Sequence, residues 1–418
     1  MAAVPTDRLG YRRVLLAVDS SLSCEAATAR AVRVASLFEG TLTGLHAYAA
    51  RLHDMRFRQM EGVLPERYQV QSELERQRDV HDTLIARGLD LISDSYLDQT
   101  EKACASSGVR FVRRGTEGKN YRVIVDEARE GHHDLVVLGY QGLGALRDVP
   151  GTVCLRVVRW CPVDTLVVKP SDRRIGEGPI LVGVDGSPQS FGALVAALEL
   201  ARRLGVGVHA VAVFDPHFHS VAFDRISQVL SEEAGRVFRV QEQERLHAEL
   251  IDSGLARIYQ SHLEVAHHVA AGVGAEITTT LLAGKPYDEI ACHAKRIGAD
   301  IVAVGKLGVH ADPHLEIGGT TELLLTHAPC DLLIVQREHT PDIEIIARET
   351  MSWTDEAQGR LERIPEFVRP MVKRAILMWA LQRGHTVITD RVISDATAEL
   401  RPAGFGPGHP NKSGHGGG

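Results

Sequence analysis

The apolar positions of this chain fall into short unbroken runs, separated by stretches with helical spacing. In the second half a run at 180–184 stops at Asp185-Gly186-Ser187. Helical spacing follows through Leu194, Ala197, Leu198 and Ala201 and ends near Gly205. Further runs lie at 208–214, 276–282, 301–305 and 331–336, with helices expected at 287–296 and 322–327. The first half gives the same order, with runs at 14–18, 42–48, 109–114, 135–139 and 164–168. Strands without polar alternation, each followed by a helix, predict an α/β fold with a parallel sheet covered on both faces.

The two halves are copies. Asp19 and Asp185 lie 166 positions apart, and so do Gly118-Lys119 and Gly284-Lys285, Gly139 and Gly305, and Gly142 and Gly308. His81-x-x-Leu84-Ile85-x-x-Gly88-Leu89 matches His247-x-x-Leu250-Ile251-x-x-Gly254-Leu255 at the same offset. An offset held from the first strand to the last glycine loop means duplication of a whole domain, since solenoid repeats have far shorter periods. The expected architecture is therefore two tandem Rossmann-like domains with five-stranded parallel sheets, at 1–170 and 175–340. A small helical module at 351–400 and a disordered tail at 401–418 follow.

Composition narrows the class. Aromatics are 5% of the 418 residues, so aliphatic side chains must fill the cores. The net charge of −7 argues against a broadly basic nucleic-acid binder. No run is long enough to span a bilayer and the first twelve residues lack a signal-peptide core, so a cytoplasmic location is expected. The six cysteines are scattered and read as small buried residues. His310 and His314 do not make a convincing metal pair around Pro313, and the histidines of copy two, His217 and His219 among them, read as surface residues.

Candidate chemistry sits at the ends of the strands, where ligands bind in sheets of this kind. After the fourth strand, copy one has Gly139-x-x-Gly142 and then Gly151-Thr152; copy two has Gly305-x-x-Gly308 and then Gly318-Gly319-Thr320-Thr321. Glycines there let the backbone approach a ligand, and the second cluster opens a helix whose free N–H groups favour an anion. A plain turn has the same spacing, and the Walker A ending is absent. Asp19 and Asp185, each between a strand and a helix, read either as helix N-caps or as caps that also touch a ligand.

The order Val-Asp-x-Ser, Gly-Lys-Pro-Tyr-Asp-Glu-Ile, Ala-Asp-Ile-Val-Ala-Val-Gly-x-x-Gly and His-Ala-Pro-Cys-Asp-Leu-Leu-Ile-Val resembles the universal stress protein family, over about four-fifths of the chain. The resemblance implies ATP or a related adenine nucleotide, with or without Mg, in a regulatory protein. It also implies pairing of the domains, within one chain or between chains. The site residues it implies are Asp19, Ala47, Gly139, Gly142, Gly151 and Thr152 in copy one. In copy two they are Asp185, Val213, Gly305, Gly308, Gly318, Gly319 and Thr320. Both copies depart from the family pattern. Copy one has an eight-residue spacer ending in Pro150, and copy two has Gly319 in place of a hydroxyl residue. The loop of copy two carries Asp312 and Glu316, whereas copy one offers Arg147. A slow ATPase and a non-binding structural dimer are the competing readings.

Two regions lie outside the sheets. A segment of about 60 residues follows the second strand of each copy, and its apolar stripe predicts a packing surface between copies or between chains. The glycine in each stripe, Gly88 and Gly254, suggests close approach by another element. At the C-terminus, Trp353-Thr-x-Glu356-Ala, Ile364-Pro-x-Phe367-Val-Arg369 and Gly384-His-Thr-Val-Ile-Thr389 resemble the small C-terminal domain of the light-independent protochlorophyllide reductase B subunit. The reductase's catalytic regions have no counterpart, so the module is expected to bind an unidentified protein partner. Arg363, Arg369, Lys373, Arg374 and Arg383 make it locally basic.

Overall fold

A computed structural model describes residues 10–144, 149–170, 173–216, 252–312 and 314–400. The expected features at Arg147, His217, His219, His247, Leu250, Ile251, Pro313 and the tail from 401 lie outside the described residues. The chain divides into a unit spanning Met1–Thr340 and a second spanning Pro341–Gly418.

In the first unit, copy one contributes β1 (Arg13–Ala17), α1 (Leu22–Leu37), β2 (Thr41–Tyr48), α2 (Ala50–Met60), α3 (Gln71–Ser106), β3 (Arg110–Glu117), α4 (Asn120–Glu130), β4 (Leu135–Gly139), α5 (Thr152–Trp160) and β5 (Asp164–Val168). Copy two contributes β6 (Ile180–Gly183), α6 (Pro188–Leu204), β7 (Val208–Phe214), α7 (Asp252–Gly272), β8 (Ile277–Ala283), α8 (Pro286–Ile297), β9 (Ile301–Gly305), α9 (Gly319–His327) and β10 (Asp331–Val335). Every strand lies within two or three residues of its expected place. The central strands are buried along nearly their whole length, which is why their sequences show no alternation. The end of α6 shows how local signals set boundaries. Ser187 caps its first turn, a proline follows at the first helical position, and Gly205 closes it at φ 73°.

The two expected sheets are one. Its order is β3-β2-β1-β4-β5-β10-β9-β6-β7-β8. All pairings are parallel except β5 with β10, where Leu166 lies opposite Leu333. The copies thus pair head to head inside one chain, and the last strand of each covers the other's edge. Two lysines tie the join. Lys169, just past β5, donates to the carbonyls of Thr326 (3.0 Å) and Ala328 (2.6 Å) at the end of α9. Lys306, just past β9, donates to those of Arg159 (2.6 Å) and Cys161 (3.2 Å) at the end of α5. Each ammonium meets the carbonyls left open by the other copy's last helix. Burial lowers both lysine pKa values, Lys169 to about 8. Buried ion pairs flank the join: Arg30 with Asp331 (3.1 Å), and Arg337 with Asp164 (2.7 Å), whose carboxylate also accepts from the Tyr11 hydroxyl (2.9 Å).

Among the described residues, the arms do not form this interface. The helix α3 packs on β2, β3, α1 and α2 of its own copy. A side chain at Gly88 or Gly254 would meet nothing within 4 Å, so the expected close approach is absent among the described residues. Leu84 of the predicted stripe is 66% exposed. Five of the cysteines are buried and Cys292 is exposed.

The second unit holds α10 (Ile343–Thr350), β11 (Ser352–Trp353), α11 (Asp355–Glu362), α12 (Arg369–Gln382), β12 (Val387–Ile388) and α13 (Asp390–Leu400). Ile376, Leu377, Trp379, Ile388, Val392 and Ile393 form its own core. A parallel two-stranded ladder joins Trp353 to Ile388, a feature too short to leave a sequence pattern. Thr389 caps α13 through the Val392 N–H. Of the five expected basic residues, three are engaged internally: Arg369 with the carbonyls of Glu362 and Ile364, Arg374 with Asp342, and Arg383 with Glu399. The basic stretch is therefore largely paired within the module.

Candidate functional site

In each copy the chain leaves the first strand outward to the second and third, then returns to place the fourth on its other side. The switch points therefore fall between β1 and β4, and between β6 and β9. Loops diverge there and leave a crevice at the carboxyl ends of the strands.

The aspartates stand at these points, but they are not the helix caps. Ser21 caps α1 and Ser187 caps α6. Asp19 sits two residues earlier. Its Oδ1 accepts from the backbone N–H of Ser21 (2.8 Å) and from its hydroxyl (2.6 Å). Asp185 does the same for Ser187, at 3.0 and 2.6 Å. Such an Asx turn fixes the capping serine and leaves the second carboxylate oxygen facing the glycine loop. A Cβ at Gly142 would lie 3.2 Å from Asp19 Oδ2, and one at Gly308 only 2.5 Å from Asp185 Oδ2. In copy two that oxygen also accepts from the Val309 N–H at 2.9 Å, so the loop is drawn onto the aspartate.

Six of the seven expected site glycines have a spatial reason, whereas a Cβ at Gly319 would meet nothing within 4 Å. A Cβ at Gly139 would fall 2.7–3.1 Å from Ser23, and one at Gly305 about 2.9–3.0 Å from Gln189 and Ser190. These two are needed for packing against the first helix of each copy. Gly142 and Gly151 face one another, with a Gly151 Cβ 3.4 Å from the Gly142 nitrogen; Gly308 and Gly318 repeat this at 3.5 Å. Gly151 and Gly318 hold the cap positions of α5 and α9 without a side-chain cap. Each copy thus presents backbone N–H groups from a glycine loop and from an open helix end, an arrangement suited to phosphate oxygens. Thr152 opens α5 and lines the copy-one crevice. Gly319 and Thr320 line that of copy two, and the neighbouring Thr321 hydroxyl donates to the Gly305 carbonyl at 2.8 Å. Ala47 and Val213 line the walls of their own copies.

The crevices differ in size. That of copy one has a volume of about 730 Å³ and runs from Asp19 and the glycine loop to Leu89, Ile92 and Tyr96 of α3. That of copy two is about 240 Å³, walled by Tyr259, His310 and Leu315. Tyr259, which lines the copy-two crevice, stands 166 positions after Ser93. Its ring lies 6.3 Å from Phe214, whereas Ser93 is not among the residues that line the larger crevice. Burial, with Asp185 and Asp215 nearby, raises the Tyr259 pKa, so the phenol is neutral.

Sequence reasoning missed the aromatic wall of copy one. His46 lines this cavity, with Tyr96 edge-on to its ring at 5.1 Å and Tyr48 stacked at 6.3 Å. The available signal was the polar His46 and Tyr48 alternating with Leu45 and Ala47 along β2.

This fold defines an α/β protein with a pair of crevices at its switch points. The universal stress protein family model matches residues 10–169 and again 178–336, so the chain belongs to that family. A second model, described as the 57 kD subunit of proto-chlorophyllide reductase, matches residues 353–396. Among curated relatives, a putative universal stress protein of Staphylococcus haemolyticus is 29% identical over 164 residues, covering 39% of this chain and 87% of that protein. The crystal structure of a universal stress protein from Archaeoglobus fulgidus is similar in fold at a TM-score of 0.51. Its identity is 13%, covering 78% of this chain and 99% of that one. A universal stress protein solved in complex with cAMP aligns with 39% of this chain and 99% of its own, at 21% identity and a TM-score of 0.26.

Proposed function

We propose that copy one binds an adenine nucleotide, ATP among them, and that copy two retains a contracted form of the same cleft. The observation that carries this reading is the opposed pair Gly142 and Gly151 at the uncapped start of α5, opening on a cavity of about 730 Å³. Ligand clefts for small molecules span roughly 300–1,000 Å³, which includes copy one and leaves copy two below the range. Phosphates fit the glycine backbones and the helix start, and the base fits the wall of His46, Tyr48 and Tyr96. Among the described residues, Asp19 is the single carboxylate lining this cavity, and it is committed to the Ser21 turn, so Mg would enter on the nucleotide's phosphates.

The cavity reaches Leu89, Ile92 and Tyr96 on α3, so a bound nucleotide touches the arm. Occupancy then alters the arm's order, a regulatory output consistent with the family. Mass spectrometry of the purified protein, followed by calorimetric titration with ATP in the presence and absence of Mg, tests the reading. One bound adenine nucleotide per chain is expected. A chain that neither retains nor binds any nucleotide sinks it.

A further inference from the structure

The copy-one cavity contains a histidine that the phosphate loops do not use. His46 lies on β2, whose alternation turns Leu45 toward the layer of Ile124 and His46 toward α3. Its Nδ1 is 2.6 Å from Ser93 Oγ on α3. That separation suits an O–H donor better than an N–H donor, which prefers about 2.9–3.0 Å. Ser93 is 4% exposed, so little water competes for its hydroxyl. A hydroxyl proton given to Nδ1 leaves the imidazole's own proton on Nε2. Burial lowers the imidazole pKa, which keeps the ring neutral, while Tyr96 and Tyr48 hold its plane.

We propose that His46, fixed as the Nε2–H tautomer by Ser93, donates a hydrogen bond to N1 of an adenine base and so selects adenine over guanine in copy one. This rests on the nucleotide reading above. The N1 of adenine is a bare acceptor, whereas the N1 of guanine carries a hydrogen and meets the donor with like polarity. A buried donor facing a donor is left unpaired, so the mismatch is penalised more than the match is rewarded. Copy two has neither partner: Ala212 and Tyr259 stand at the corresponding offsets.

Heteronuclear NMR of the histidine-labelled full chain reads the tautomer without any ligand, and calorimetry with ATP and GTP reads the preference. The expected result is an Nε2–H signal for His46 and ATP bound about tenfold more tightly than GTP. His46→Phe removes that preference. Ser93→Ala shifts the tautomer and reduces the preference, while Ser93→Thr, which keeps the hydroxyl, restores both. Melting curves check that each variant is folded. An Nδ1–H tautomer in the wild type, or an unchanged ATP preference in His46→Phe, overturns the inference and leaves the nucleotide reading standing. A wild type that binds neither nucleotide overturns both.

Discussion

Ser93 in copy one and Tyr259 in copy two occupy the same place on equivalent helices, and the crevices beside them differ about threefold in volume. The strands, glycines and aspartate turns are otherwise alike. Copy two also draws its loop inward, with Val309 bonded to Asp185 and Lys285 paired to Asp215 at 2.6 Å. The position matching Asp215 in copy one is Ala49, which offers Lys119 no such partner. Duplication has preserved the scaffold while contacts inside one crevice have closed it. The difference teaches that family glycines mark where a cleft can form, while the residues of the arm help decide whether it is open.

The largest effect is expected where the copies depend on one another. Asp331→Ala leaves the buried Arg30 guanidinium without its carboxylate, and Asp164→Ala does the same to Arg337. Removing one partner of a buried pair costs about 3–5 kcal/mol. Because the sheet is continuous through β5 and β10, both variants are expected to unfold in one cooperative transition, at lower denaturant than wild type. Two separated transitions in chemical denaturation would mean that the copies are independent and the shared scaffold is only apparent.

Next in size is the loss of binding on filling one phosphate cradle. Gly151→Val places a branched side chain beside the Gly142 nitrogen and removes two charge-assisted bonds of about 1.5 kcal/mol each, so ATP affinity falls about 100-fold. Gly318→Val leaves it unchanged, because the contracted crevice takes no nucleotide. Equal losses in the two variants would erase the asymmetry. In the opposite direction, Tyr259→Ser is expected to open copy two and raise the calorimetric stoichiometry from one to two, with the second site the weaker. A stoichiometry that stays at one shows that the pull of Asp185 on its loop, not the tyrosine ring, closes copy two.

The strands were legible because a sheet buried on both faces leaves unbroken aliphatic runs, and the duplication was legible because both copies kept their loops to length. The join was not. Nothing local marks Lys169 or Lys306; only the β5–β10 pairing brings each to a helix end in the other copy, and such pairing depends on contacts far apart in sequence. The glycines and aspartates of the crevice were legible as a set. The division of labour between Asp19 and Ser21 was not, since both residue types signal a cap. His46 and Ser93 lie 47 positions apart, so only the fold brings them together. Gly88 and Gly254 drew attention by repetition, yet nothing in the described residues approaches them.

The smallest effect separates the copies by pH. His293 on α8 is 4% exposed and meets His209 of β7 edge-on at 4.7 Å. Burial, reinforced by His209 and Arg296, pushes its pKa down from 6.5 to about 4. A folded state that refuses a proton the unfolded chain accepts is most favoured above the unfolded value. This contribution is therefore fully present above pH 6.5 and is lost as the pH falls toward 4. Copy one has Thr43 and Glu127 at the matching offsets, so it lacks this pair. His293→Gln is expected to flatten the acid limb of the stability curve between pH 6.5 and 4 while leaving nucleotide affinity in copy one untouched. Urea titrations across that window decide it. An acid limb as steep in the variant as in wild type would place the pH sensitivity elsewhere and remove this distinction between the copies.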